Sequence, residues 1–529
     1  MDTTQFEKYN DIPKESFELT TGSDYLHDKK LETKPVGYLK DAFNRFSKNK
    51  GSVAAAIIII ILILYAIIGP YCFSLSYQKA YETDNLLKKY KELLPRISIF
   101  EGSGFWDGST EEEVSAGRLA ILNGQSIETG HAAVQKIVSE TTTTDVFGKT
   151  STLYTIRRNT YYSIPVFLET LDYESYKALQ DWQDATGKQV ILPRVNATKA
   201  PIYQLGSQFS VWYVCDEKGN PKLDVNGNLV PAYYATEDEG DRDNYTSKVR
   251  IAGDPGIDDP TSTKRYQYAQ RTGTDGQYNY IVRINPYEYF EYRYGFEPSF
   301  VFGSDSNGYD IFTRLAKGAR FSLLLALFVS VVNLTIGAIY GAIEGYYGGV
   351  VDMVMERISD ILSNVPFMVV TVLFQLHMAA KVGIVGALIF AFLITGWIGM
   401  ASRVRMQFYR FKNQEYVLAA RTLGASDKRI IWKHIFPNSL GTLITGSVLV
   451  IPGVIFSETS LSYLGIISLD SQTMSSVGAM LSAGQNVMTS APHVVLFPAL
   501  FIALLMISFN LFGNGLRDAF NPSLRGSED

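Results

Sequence analysis

The chain has 529 residues, a formal net charge of -5, and a mean hydropathy of +0.02. Its length exceeds one typical domain. Residues 73–304 carry 24 basic and 31 acidic side chains, a balance that argues against a nucleic-acid or anionic-lipid surface. Only two cysteines occur, Cys72 and Cys215, so no disulfide framework is indicated.

The mean hydropathy is near zero because strongly apolar runs and a large polar insert average out. Six uncharged runs have room for the roughly 20 apolar residues with which a helix crosses a bilayer. They comprise residues 51–78, 321–343, 361–380, 382–402, 435–457 and 494–512. We therefore predict a polytopic α-helical membrane protein with six transmembrane helices, one before a large polar insert and five after it.

The basic residues indicate the orientation of these helices. Lys and Arg are enriched in short loops that stay in the cytoplasm, and four of them lie between residues 40 and 50. The N-terminus is therefore predicted inside, and counting across six helices also places the basic segment 403–437 and the C-terminal tail 523–529 inside. The loop 461–495 contains no Lys or Arg, as expected for an outside loop.

Residues 1–50 are predicted to form a cytosolic tail that ends in an amphipathic juxtamembrane helix. Leu39, Ala42, Phe43 and Phe46 repeat at helical spacing with basic residues between them, which is typical of a helix on the membrane surface. A plain cytosolic extension of the first transmembrane helix, predicted at 51–72, fits the same pattern.

Residues 73–302 have the composition of a globular α+β domain, predicted to lie outside the cell. Asp172 can begin a helix that Gly187 ends, Asn226 and Gly227 favour a hairpin turn, and residues 278–284 alternate as in a strand. The segment holds one histidine, no catalytic signature and no clustered metal ligands, so we predict neither catalytic residues nor a metal site.

Where this segment returns to the membrane, residues 302–323 read FGSDSNGYDIFTRLAKGARFSL. The sequence resembles the segment before the second membrane helix in oligopeptide and dipeptide permeases of ABC importers. The residues that we assign to this membrane-entry motif are Gly303, Asp305, Gly308, Asp310, Arg314, Gly318 and Arg320. Tyr309 departs from the Arg usual in the family, so an ion pair at that position is not expected.

A second match is the charged segment 415–438, EYVLAARTLGASDKRIIWKHIFPN. Gly424 suits the left-handed residue that ends a helix, Ser426 can cap the next one, and Pro437 is predicted to end that second piece. The segment resembles the EAA loop of these permeases, whose coupling helix sits in a groove of the cytosolic ATPase. The residues assigned to ATPase coupling are Glu415, Ala419, Ala420, Arg421, Gly424, Ala425, Lys428, Arg429 and Pro437.

The resemblance implies a type I ABC importer permease for oligopeptides in a bacterial plasma membrane. The chain lacks the G-x-x-x-x-G-K-[ST] phosphate loop, so it binds no cofactor itself, and ATP and Mg²⁺ belong to partners. The family implies two cytosolic ABC ATPases, a second homologous permease and an extracytoplasmic peptide-binding protein. The large insert lies outside the usual family length, so docking of the binding protein or partner permease and direct peptide capture both stay open.

Two other functional classes compete with the importer. A membrane-anchored receptor for an extracellular ligand is compatible with the large outer segment, although no cytosolic output domain is recognisable. A channel or proton-coupled carrier is expected to carry charges inside its spans, and the six uncharged runs contain none.

Overall fold

The computed structural model describes residues 38–81, 83–144, 150–199, 210–216, 220–236, 265–274, 277–469 and 475–520. The predicted C-terminal tail 523–529 and most of the N-terminal tail lie outside the described residues.

Two helices open the described chain. Helix α1 (Tyr38–Lys48) occupies the predicted amphipathic segment, and α2 (Lys50–Ile68) continues through a single 3-10 turn, Gly69–Tyr71. Both helices lie along the last helix of the chain, because the Phe46 and Phe512 rings are 5.4 Å apart and Ser52 Oγ donates a hydrogen bond to the Leu511 carbonyl.

The insert mixes helices and strands, as its composition predicts. Its helices are α3 (Leu75–Ala80), α4 (Ala116–Thr129), α5 (Tyr173–Thr186) and α6 (Pro286–Tyr294), together with the 3-10 segments Asn85–Tyr90 and Ser98–Phe100. Its strands are β1 (Ser109–Ser115), β2 (Val134–Thr144), β3 (Thr150–Asn159), β4 (Phe167–Asp172), β5 (Ile191–Leu192), β6 (Ala235–Thr236), β7 (Arg265–Tyr266), β8 (Ala269–Thr274) and β9 (Gln277–Ile284).

These strands form three antiparallel sheets within the described residues. One has the order β1-β3-β2, a second places β4 on one side of β9 with β5 and β8 on the other, and β6 pairs with β7. The predicted caps of α5 are confirmed: the Asp172 side chain accepts from the Ser175 N–H, and Gly187 has a φ of 73°. The fully buried Trp212 shares a core cluster with residues of the second sheet and α5, and its Nε1 donates a hydrogen bond to the Gly124 carbonyl of α4 at 2.8 Å.

Ten α-helices and one π-helical segment follow in the part of the permease region that the structure describes. The helices are α7 (Ile311–Tyr347), α8 (Gly349–Ser363), α9 (Phe367–Thr395), α10 (Ile398–Phe411), α11 (Glu415–Thr422), α12 (Asp427–Arg429), α13 (Phe436–Val448), α14 (Val450–Tyr463), α15 (Val477–Gly484) and α16 (His493–Phe520), of which α12 is a single turn. The π-helical segment is Ile430–Ile435.

Helix α7 packs unusually closely against α10. A Cβ atom added at Gly337, Gly341 or Gly345 would lie within 2.8 Å of a backbone carbonyl oxygen of α10 or its preceding residue. Because only glycine leaves room for this approach, the four-residue glycine spacing holds the two helices together along one face.

Four helices in the described ranges are long and apolar enough to cross a membrane, or five if the bent pair around residues 441–446 is one span. One of the four, Phe367–Phe411, reverses direction within itself. Gly383 has the non-helical angles φ 79° and ψ 163°, and the Phe367 and Phe392 rings are 4.9 Å apart. A straight helix would separate those two residues by about 37 Å, so the two arms run antiparallel.

Candidate functional site

The charged segment around Gly424 forms a helix, a sharp turn and a second helical piece. Helix α11 ends in a Schellman turn: Ala425 N–H bonds to the Ala420 carbonyl at 3.0 Å and Gly424 N–H to the Arg421 carbonyl at 3.0 Å. Gly424 has a φ of 80°, a conformation that costs most other residues free energy. The predicted role of Gly424 in ending the helix is confirmed.

The turn presents an exposed surface that we call the coupling surface, formed by α11, Leu423, Gly424 and α12. Seven of the nine residues assigned to ATPase coupling are exposed, whereas Ala420 and Ala425 are half-buried. Leu423 is 88% exposed, and Tyr416 and Leu418 of α11 are also exposed. Leu423 was not singled out in the sequence analysis.

The opposite side of the coupling surface is fixed to the helix bundle. Val417 is fully buried and packs with Ile430 and Ile431 among residues of α7 and α10. Tyr346, at the end of α7, donates a hydrogen bond to Asp427 Oδ1 at 2.6 Å. The Arg421 guanidinium lies 5.8 Å from the centre of the Tyr346 ring. The surface is therefore attached to α7 by packing and by a hydrogen bond.

Two local predictions for this segment are wrong. Pro437 does not end the second piece, because it lies in the first turn of α13. The preceding residues, Ile430–Ile435, form a π-helix, whose wider turn accommodates the missing N–H and the ring of a proline. Ser426 lies at the start of α12, but its side chain makes no capping hydrogen bond.

The predicted loop 403–437 also begins with helix, because α10 continues to Phe411. Arg405 on α10 makes a paired contact with Asp352 of α8, with Nε and Nη2 at 2.5 Å and 2.9 Å from the carboxylate oxygens. It also contacts Glu356 at 2.9 Å. The hydrogen bonds from Arg405 lower the pKa of Asp352. This cluster ties α8 to α10 beside the coupling surface.

The membrane-entry motif forms the junction between the insert and α7. Gly303 and Gly308 have φ angles of 77° and 82°, and a Cβ atom at either would collide with a carbonyl oxygen, at 2.3 Å from Leu93 and 1.6 Å from Leu87. Ser304 N–H bonds to the Leu93 carbonyl at 2.9 Å. The two glycines are thus required by close backbone approach.

The charged residues of the motif are buried at the start of α7. Asp305 and Arg314 form a buried ion pair, and Asp310 caps α7 by accepting from the Thr313 N–H at 2.6 Å. Burial raises the pKa of Asp310 to about 7. Tyr309, which stands where the resemblance expects Arg, packs against Tyr81 with ring centres 4.6 Å apart and the rings tilted by 33°.

The remaining motif residues lie further along α7. Gly318 packs against the backbone of Ser476 and Val477, while the Arg320 guanidinium donates to the Tyr71 hydroxyl at 3.3 Å. All seven motif residues therefore belong to one structural junction. They do not approach the coupling surface, which lies at the other end of α7.

A fully buried carboxylate lies directly after the fifth uncharged run. Helix α14 extends to Tyr463 and carries Glu458, whose side chain is fully buried. Its carboxylate accepts hydrogen bonds from Ser322 and Ser462, each at 3.0 Å. The uncharged run ended one residue before Glu458, so counting residues missed it. Within the described ranges, no cluster of His, Cys, Asp or Glu is arranged to hold a metal ion.

Comparison with known proteins identifies the class of this chain. The family described as the binding-protein-dependent transport system inner membrane component matches residues 333–526. The N-terminal transmembrane domain of oligopeptide transport permease C matches residues 37–90. Both matches define an inner membrane component of a transport system, and most of the insert lies between them.

The curated relatives narrow that class. The oligopeptide transport system permease protein OppC of Bacillus subtilis (strain 168) is 44% identical over 224 residues, which cover 42% of this chain and 72% of the relative. The dipeptide transport system permease protein DppC of the same organism is 40% identical over 225 residues, covering 42% and 69%. The chain therefore belongs to the oligopeptide and dipeptide permease family, and the resemblance inferred from its motifs is confirmed.

A solved structure of the MetNI methionine ABC transporter in inward-facing conformations also matches. The match covers 39% of the present chain and 96% of the matched transporter chain, with 15% sequence identity and a TM-score of 0.33.

Proposed function

We propose that this chain is the transmembrane permease subunit of an ATP-driven importer for oligopeptides and forms half of the translocation pore. The observation that carries the proposal is the coupling surface, an exposed turn held rigidly to α7 in a member of the peptide permease family. Two cytosolic ABC ATPases bind ATP and Mg²⁺, and this chain supplies none of the catalytic residues.

In this proposal the coupling surface docks into the ATPase. Leu423 supplies an apolar contact, Arg421, Lys428 and Arg429 face carboxylates of the partner, and Ala419 and Ala420 allow close backbone approach. Closure of the ATPases moves the surface, and the Tyr346 to Asp427 hydrogen bond carries this movement into α7. The pair of permease subunits thereby shifts between two arrangements of the pore.

The proposed topology has six passes with both termini in the cytoplasm of a bacterial cell. The reversal at Gly383 supports it, because the residues on either side then make two passes. The bent pair α13 and α14 makes one more. The basic residues between 403 and 433 fit a cytoplasmic face, which leaves residues 73–302 outside.

For the outer domain we propose docking of the binding protein or the partner permease. The support is its firm attachment to the outer ends of the permease helices. Trp106 lies 5.7 Å from Phe497 of α16, Phe302 stacks on the same ring at 4.2 Å, and His493 contacts the Ser304 carbonyl at 3.2 Å. A rigidly held domain can position a partner over the pore.

Co-purification tests the proposal. The tagged chain is expressed in a bacterial membrane together with its neighbouring genes, and we expect two ATPases and a second permease to accompany it. Leu423→Glu should remove the ATPases because it places a charge in the apolar contact. Leu223→Glu, at a 58% exposed leucine of the outer domain, is the matched control and should retain them. A wild-type chain that purifies alone would contradict the proposal.

A further inference from the structure

A cleft of about 580 Å³ lies between the insert and the outer end of the permease helices. Residues 89–94, β1, α4 and the segment after β3 form most of its wall, and Thr489 and Ser490, just before α16, complete it. This volume falls within the range of small-molecule sites, about 300–1,000 Å³. The cleft thus combines surfaces from the insert and from the transport core.

The wall of the cleft carries both signs of charge. Its charged residues are Lys89, Lys91, Glu92, Glu111, Glu112, Arg118 and Arg158. Glu112 is paired with Arg158 at 2.7 Å and Glu111 with Arg157 at 3.3 Å. Two of the three carboxylates are therefore neutralised by arginines of β3.

Arg118 is the cation in the wall whose surroundings most favour an anion. Within the part of the chain that the structure describes, its half-buried guanidinium has neither a hydrogen-bond acceptor nor an ion-pair partner. Burial and the charge of Arg158 lower the pKa of Arg118. A peptide carboxylate on the Arg118 guanidinium would supply the hydrogen-bond acceptor that it lacks and offset the cost of burying its charge.

Glu92 supplies the opposite charge at the same cleft. Its backbone N–H bonds to the Asp305 carbonyl at 3.0 Å, which fixes it to the membrane-entry junction. Its φ of 57° is one of two positive values at non-glycine residues of the described chain. Strained backbone persists only where the surrounding structure imposes it, and here it places a carboxylate on the wall that also carries Arg118.

We propose that this cleft binds a short zwitterionic peptide, with its C-terminal carboxylate on Arg118 and its N-terminal ammonium group towards Glu92. The insert then contacts the cargo directly at the outer end of the permease. This inference rests on the proposed function, because peptide import supplies the ligand, but it assigns the contact to residues outside both matched family regions.

The test is isothermal titration of the full chain in lipid nanodiscs with tri-alanine and with tri-alanine amide. We expect Arg118→Gln to weaken tri-alanine binding about tenfold or more and to leave the weaker binding of the amide unchanged. Lys91→Gln, at an exposed position of the same wall, should weaken tri-alanine to a smaller extent. Arg271→Gln on β8, outside the cleft, is the matched control and should bind like the wild type.

Three results would overturn the assignment: no binding of tri-alanine, equal binding of the free and amidated peptides, or an equal loss for both peptides in Arg118→Gln. Inorganic phosphate and glycerol phosphate are titrated in parallel, and tighter binding of either would identify a phosphate or lipid headgroup site instead. Co-purification with the ATPases is independent of these titrations. Its success alongside failed peptide binding would remove this inference and leave the proposed function intact.

Discussion

Replacement of Gly424 tests whether the shape of the coupling surface matters for transport. A Cβ atom at Gly424 would meet no heavy atom within 4 Å, so a new side chain is not excluded sterically within this chain. The cost is set by the φ of 80°. A left-handed conformation costs an ordinary residue about 1–2 kcal/mol. This cost would lower the population of chains in which residue 424 adopts the observed turn by a factor of roughly 5 to 30.

The pair Gly424→Val and Gly424→Asn separates backbone shape from added bulk. Asparagine tolerates the left-handed region whereas a β-branched residue does not. With the complex in proteoliposomes, we expect peptide uptake per ATP hydrolysed to fall about 5- to 30-fold for Gly424→Val and to change little for Gly424→Asn. Normal coupling in the valine variant, or equal defects in both, would refute the dependence on backbone conformation.

Two further predictions concern the junction at the start of α7. Gly308→Ala should lower the free energy of unfolding by about 3 kcal/mol or more, because the added Cβ would collide with the Leu87 carbonyl. Size-exclusion chromatography should then show little folded protein. Gly349→Ala, with a φ of 56° in open space, is the control and should remain folded. Because burial raises the pKa of Asp310 to about 7, the folded chain binds a proton more tightly than the unfolded chain, and stability should fall as pH rises from about 4 to about 7. Asp310→Asn keeps the cap and should flatten this dependence in thermal melts between pH 5 and pH 8; an unchanged slope would exclude Asp310 as its source.

Local signals in the sequence predict a large part of this structure. Gly424 and Gly187 end helices with positive φ because helix termination depends on the residue itself. Strand β9 follows the alternation of residues 278–284, since alternate side chains point to opposite faces of a sheet. The motif residues from Gly303 to Arg320 were assigned as a group, and they do form one junction.

The features that sequence reasoning missed depend on distant contacts. The pairing of Arg405 with Asp352 joins residues of different helices, and neither residue has a local pattern that indicates the other. Glu458 is buried within α14, where Ser322 of α7 and Ser462 supply hydrogen bonds that offset its burial. The helix continues through Pro437 because a π-helical turn precedes it, and no simple sequence signal predicts that turn.

The entry and exit of the insert lie side by side. Arg96 N–H bonds to the Phe300 carbonyl at 2.9 Å, and Ser304 N–H bonds to the Leu93 carbonyl at 2.9 Å. The segment by which the chain enters the insert, residues 93–96, is thus hydrogen-bonded to the segment by which it returns, residues 300–304. Such a junction tolerates additions and deletions well, because the entropy of closing a loop grows only slowly with its length. A permease of this kind can gain or lose a whole inserted domain during evolution without altering the helices of the permease region.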